Sequence, residues 1–233
     1  MADKIVIIGA GAAGANTAIK LANQGHKVVL IEKNTLGSGA SGRNPGRMGH
    51  GFHYTDVQTA LDYLHASIKV QRTYPGFLIA QDKPNSPLRH GRYFIMKDSG
   101  SSQDEILLTY EKIKAEYARM VEEDPRNEVF GPPENFYRIL EPSEYSDTVN
   151  MDLVEMGVET NEHLFRWSEF KDHLRNLIEH HPNIELREHT EVEQIVRNLE
   201  GQTRFSFSLL TSTPAPRDAT NDDLSTGIIQ YQV

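Results

Sequence analysis

The alternation of apolar and polar positions sorts most of the chain into short strands and amphipathic helices. Lys4 to Ile8 is a β-branched run of the kind found in a strand buried on both faces. A helical pattern then carries Ala18, Ile19, Leu21 and Ala22, and Gly25 suits the left-handed position that closes it. A second buried strand follows over 27–32. Thr55-Asp56-Val57-Gln58 has the form of a capping box, opening a helix with Val57, Leu61, Leu64 and Ile68 on one face. A strand is expected over 92–96. Ser102 to Glu105 is a second capping box, before a helix whose apolar face holds Ile106, Tyr110, Ile113, Tyr117 and Met120 and which must stop near Pro125. The proline-punctuated stretch 128–142 reads as irregular, and 153–158 as a strand. A helix over 167–180 follows through Trp167, Phe170, Leu174, Leu177 and Ile178, then strands over 184–187, 192–196, 205–210 and 228–233.

Composition narrows the class. With 233 residues, the chain is long enough for one large or two small domains. A net charge of −9 with scattered Lys and Arg argues against a nucleic-acid surface or a polybasic membrane anchor. No stretch is long enough to span a bilayer. The early run from Ile5 is broken by Gly9, Gly11 and Gly14, unlike a secretory signal, so a cytoplasmic location is expected. The absence of cysteine excludes disulfides, a Cys nucleophile, a Cys-bound metal and a cysteinyl flavin. His180-His181 lacks a further ligand at matching spacing, so no metal site is expected.

The first thirty residues carry the chemistry. Strand, glycine turn, helix and strand form a βαβ unit. Gly9 permits the tight turn, Gly11 lets backbone approach a pyrophosphate, and Gly14 lets the helix pack closely. The helix N-terminus then faces the phosphates. Glu32 lies at the distance where an acid accepts adenosine ribose hydroxyls, which disfavours NADP. These features suit FAD and NAD alike. A nicotinamide-dependent dehydrogenase would show a second strand-helix-strand unit soon after Glu32. Instead a glycine-dense loop spans 34–54, with Gly37, Gly39, Gly42, Gly46, Gly49 and Gly51.

That loop, Leu36-Gly37-Ser38-Gly39-Ala40-Ser41-Gly42-Arg43-Asn44-Pro45-Gly46, follows the acid-basic pair Glu32-Lys33. It resembles the second flavin-contacting segment of the D-amino-acid-oxidase-like FAD-dependent oxidoreductases. Thr190-Glu191-Val192-Glu193-Gln194-Ile195 is similar to a later segment of that family, whose valine backbone holds the adenine. The resemblance implies an α/β fold: a Rossmann-like FAD-binding domain over 1–75 and 160–233, interrupted by part of an α+β substrate domain over 76–159. It also implies a C-terminus that is cut short. Cofactor contacts would come from Gly9, Gly11, Ala13, Gly14, Glu32, Lys33, Ser41, Gly42, Asn44 and Val192. The reaction would be hydride transfer to FAD from an amine, amino acid or 2-hydroxy acid, a small-molecule substrate, with the electron acceptor open. Near the ring, His53, His50, Tyr54 and Arg47 are the candidates for chemistry, although packing or phosphate contact explains each as well. A catalytically incomplete fragment that keeps only the nucleotide pocket is the alternative reading.

Overall fold

The computed structural model describes residues 4–43, 46–83, 86–198, 206–213 and 225–232. The chain forms two compact units, 1–45 with 167–233, and 46–166. The boundaries thus fall at 45/46 and 166/167, so that the helix after Thr55 belongs with the second unit rather than the first.

In the first unit, β1 (Lys4–Ile8), β2 (Lys27–Ile31) and β6 (Ile184–Arg187) form a parallel sheet in the order β1-β2-β6. Val28 to Ile31 are all buried, as the central strand of three requires. β1 differs from expectation: its side chains are only partly covered, and Ile8 is 50% exposed, because among the described residues β1 is an edge. Helix α1 (Ala12–Asn23) buries Ala15, Ala18, Ile19 and Ala22. It ends in a Schellman turn, with Gly25 at φ +93°, its N–H on the Ala22 carbonyl and the His26 N–H on that of Leu21. Helix α4 (Trp167–Glu179) buries Phe170, Leu174 and Ile178 and packs on α1. Strands β7 (Glu191–Asn198), β8 (Ser206–Thr213) and β9 (Ser225–Gln232) pair antiparallel in that order.

The second unit holds α2 (Val57–Thr73), α3 (Gln103–Glu123) and an antiparallel sheet of β3 (Gly91–Met96), β5 (Val154–Thr160) and β4 (Tyr137–Leu140), in the order β3-β5-β4. Its core joins Leu64, Ile68, Ile113, Tyr117, Phe136 and Val158. Two expectations are corrected here. The N-cap of α2 is Asp56, not Thr55: its carboxylate accepts the Thr59 N–H at 2.8 Å and the Thr59 hydroxyl at 2.7 Å. The stretch read as irregular contains β4, a short edge strand whose flanking prolines, Pro133 and Pro142, bound it without interrupting it. The Ser102–Glu105 capping box is present as read, with both reciprocal hydrogen bonds.

Candidate cofactor site and a buried polar cluster

The site in the first unit is built where β1 ends. Gly9 adopts φ +97°, which favours glycine, and donates its N–H to the Ile31 carbonyl at 2.7 Å. A Cβ on Gly9 would meet nothing within 4 Å, and one on Gly11 only the Ser41 hydroxyl at 3.2 Å, so the backbone here faces open space. Gly14 is the opposite case. A Cβ there would lie 1.9 Å from the Gly9 carbonyl oxygen, so the helix approaches the turn as closely as a glycine allows. The first turn of α1 has no capping side chain at Gly11 and no acidic residue. The positive end of the helix is left for an anion.

Glu32 stands beside this turn with its carboxylate held by backbone on two sides. The Ala10 N–H donates to one oxygen at 2.8 Å and the Asn34 N–H to the other at 2.9 Å. Each oxygen keeps a lone pair for a further donor such as a ribose hydroxyl. Ser41 reaches over from the glycine loop, a 3₁₀ turn over Ala40–Gly42, and its hydroxyl accepts the Ala12 N–H at 3.0 Å. Gly42 sits on the same loop, where a Cβ would come 2.2 Å from the Gly37 carbonyl oxygen. Ala13 is exposed on the first turn. Val192 turns its side chain onto Val29 and Ile31, and its backbone stands opposite Thr211 in the β7–β8 ladder, beside a register shift before Gln194. Lys33 is exposed, with its ammonium 3.9 Å from the Glu191 carboxylate. Asn44 lies outside the described residues. The open glycines, the helix end with a bare glycine at its N-cap and the anchored carboxylate fit a dinucleotide with a pyrophosphate and a ribose.

The four candidates for chemistry lie in the second unit and diverge. His50 is fully buried; its Nδ1 faces the Ser67 hydroxyl at 3.2 Å and its Nε2 the Asn161 carbonyl at 3.1 Å. Its ring lies 3.9 Å from that of Phe130 and 5.3 Å from that of Phe136. Burial lowers its pKa to about 3, so His50 is a neutral core residue. His53 and Tyr54 are accessible, with ring centroids 3.9 Å apart, and Tyr54 packs on Tyr63 at 4.4 Å. Both line a cavity of about 370 Å³, together with Tyr93, Phe94, Asp98 and Tyr110. Arg47 is exposed overall, yet its guanidinium lies over Gly91, where a Cβ would come 2.3 Å from Nη1.

Sequence reasoning missed what lies beside Arg47. Glu162 is 1% exposed, and one of its oxygens accepts the His50 N–H at 2.7 Å. The other accepts the Tyr93 phenol and the Thr160 hydroxyl. Burial pushes its carboxyl up, while Tyr93, the His50 N–H and the nearby Arg47 charge pull it down; burial prevails. His163 is also buried, which lowers its pKa to about 4, and its Nε2 finds no partner among the described residues. The signal was available: Thr160-Asn161-Glu162-His163 is a polar run directly after a buried strand, and all four side chains are inside.

Comparison with known proteins agrees with this geometry. Over 58 residues the chain is 41% identical to one subunit of the anaerobic glycerol-3-phosphate dehydrogenase of Escherichia coli, a segment covering 24% of this chain and 11% of that protein. Its fold is similar to that of L-proline dehydrogenase from P. horikoshii, with a TM-score of 0.55 and 19% identity, over 90% of this chain and 49% of that one. Glycine oxidase from Geobacillus kaustophilus gives 0.53 and 18%, over 90% and 52%. The chain thus spans about half the length of these structures and a smaller part of the curated relative. Residues 4–207 match the family described as FAD dependent oxidoreductase, and the chain belongs to that D-amino-acid-oxidase-like family, whose cofactor is FAD.

Proposed function

We propose that this chain forms the FAD-holding part of an oxidoreductase that takes a hydride from a C–H bond beside an amine or a hydroxyl, in an amine, amino acid or 2-hydroxy acid. The observation that carries the reading is the coincidence, at one end of β1, of a helix N-terminus whose N-cap is a bare glycine and whose first turn has no acid, two side-chain-free glycines and the anchored Glu32 carboxylate. Gly9 and Gly11 would lie against the pyrophosphate, the α1 amides would offset its charge, and Glu32 would accept ribose hydroxyls. Ser41, Gly42, Asn44 and Lys33 would follow the phosphates, and the Val192 backbone the adenine. When bound, FAD supplies the hydride acceptor; the protein supplies position and electrostatics. The relatives' names point to both substrate types, since glycerol-3-phosphate is an alcohol and proline and glycine are amines. The second unit would carry substrate contacts, with His53, Tyr54 and Arg47 as its accessible polar groups.

The test is the visible spectrum of the purified protein after incubation with FAD and gel filtration. A retained flavin band supports the reading, and a screen of amines, amino acids and 2-hydroxy acids for bleaching of that band then finds the substrate class. A folded protein that emerges colourless overturns it. The divergence of the four candidates for chemistry, with His50 a neutral core residue, supports a second reading, a catalytically incomplete piece that keeps the nucleotide site. It predicts a retained flavin that none of the substrates bleaches.

A further inference from the structure

The glycine loop that carries Ser41 is held chiefly from a helix that enters the chain more than a hundred residues later. Gly37, at φ +71°, donates its N–H to the Ala10 carbonyl at 2.9 Å, which ties one end of the loop to the nucleotide turn. On its other side, a Cβ at Gly37 would sit 3.0 Å from Cγ of Lys171 and 3.6 Å from Cζ2 of Trp167. A Cβ at Gly42 would sit 3.6 Å from the indole nitrogen of the same tryptophan. One indole therefore stands where a side chain on either end of the turn that presents Ser41 would meet it. Among the described residues the buried indole N–H finds no acceptor.

The same helix fastens the residue before the loop. Arg175 grips Glu188 with two hydrogen bonds, at 2.7 and 3.1 Å, and the oxygen that takes the shorter of them also accepts the Leu36 N–H at 2.6 Å. Leu36 is buried. Successive turns of one helix face, at Trp167, Lys171 and Arg175, thus lie along residues 36–42, and α1 meets the loop through the Ala12–Ser41 hydrogen bond described above.

We propose that Trp167 is a positioning residue for the cofactor's pyrophosphate: it fills the gap behind Gly37 and Gly42 and so fixes Ser41 at the N-terminus of α1. The inference rests on the FAD reading and adds to it a residue that none of the cofactor motifs contains. A pyrophosphate needs the loop in place; an adenosine, recognised at Glu32 and the Val192 backbone, does not. The role therefore predicts a loss confined to phosphate-bearing ligands.

The experiment compares wild type with Trp167→Ala and Trp167→Phe, using FAD, ADP and adenosine as probes in separate titrations followed by calorimetry or ligand-observed NMR. Trp167→Ala is expected to weaken FAD and ADP by roughly tenfold or more while adenosine changes less than about twofold. Trp167→Phe, which keeps a flat ring in the gap, restores most of the loss. Glu188→Gln, which loosens the Leu36 end of the loop and leaves the indole in place, is expected to show the same selectivity in a weaker form. Trp167 is also the single tryptophan, so quenching of its fluorescence by FAD reports the occupied site in wild type without any turnover. Equal affinity of wild type and Trp167→Ala for ADP overturns the inference while leaving the FAD reading intact. An equal loss for all three ligands overturns it too, as general loosening of the unit. A wild type that binds neither FAD nor ADP overturns the FAD reading itself.

Discussion

Gly11 and Gly14 stand three residues apart and should fail differently. An alanine methyl at position 14 has nowhere to go, because it meets a backbone oxygen at 1.9 Å. Gly14→Ala is expected to cost about 2–3 kcal/mol of stability in the first unit, read from urea unfolding. Gly11→Ala meets only the Ser41 hydroxyl, which can turn aside. It should leave the unfolding midpoint nearly unchanged and lower FAD affinity by roughly tenfold or more, because the methyl stands in the approach to the pyrophosphate. Both glycines were legible in the sequence because their roles are set by backbone geometry within a few residues. Glu162 was not, since its burial depends on Tyr93, Arg47 and His50, the last of them 112 residues away in the chain.

The buried histidines make the second unit sensitive to acid. His50 and His163 titrate at about 3 and about 4 in the folded protein, against 6.5 when exposed. Between those values the unfolded chain binds more protons than the native one, so stability is complete above about pH 6.5 and falls as the pH drops toward 3. Urea unfolding followed at pH 7.5, 6 and 5 should show that decline, and His50→Gln should flatten it. A decline of the same slope in the variant would remove His50 as its cause.

At the scale of elements, capping shows how far local reading reaches. Ser102 was legible because both halves of its box lie within four residues. Ser102→Ala should cost about 1 kcal/mol and lower the melting temperature of the second unit by a few degrees. The box read at Thr55 put the cap one residue early. What lies three residues on decides for Asp56. Thr59 supplies both an N–H and a hydroxyl to Asp56, while Gln58 spends its amide on Asp62 at 2.9 Å. β4 was hidden for another reason: four residues between prolines show no period, and only the register with β5, from Tyr137 opposite Thr160 to Leu140 opposite Gly157, makes them a strand. α4 was read as amphipathic through Trp167, Phe170 and Leu174, but periodicity does not say that Trp167 and Lys171 would lie beside the glycine loop.

At the scale of the whole chain, the two units differ in how they are encoded. The second is one continuous segment with its own core, from Phe52 to Val158. Residues 46–166 expressed alone should fold cooperatively, with dispersed amide resonances by NMR; a collapsed spectrum would show that the segment depends on the rest of the chain. The first unit is interrupted. β2 ends at Ile31, and its partner β6 begins at Ile184.

That interruption sets a timetable for synthesis. About 150 residues separate the two paired strands, which a ribosome adding 5–20 residues per second takes roughly 8–30 s to deliver. During that interval the nascent chain already displays Gly9, Gly11 and Glu32, yet it lacks Trp167, Arg175 and Glu188 to set the glycine loop and β6 to complete the sheet. On the proposed reading, cofactor uptake waits at least for Val192, and the middle segment has time to fold first. A chain stalled in that window would show a nucleotide fingerprint to the cell without the means to hold a nucleotide.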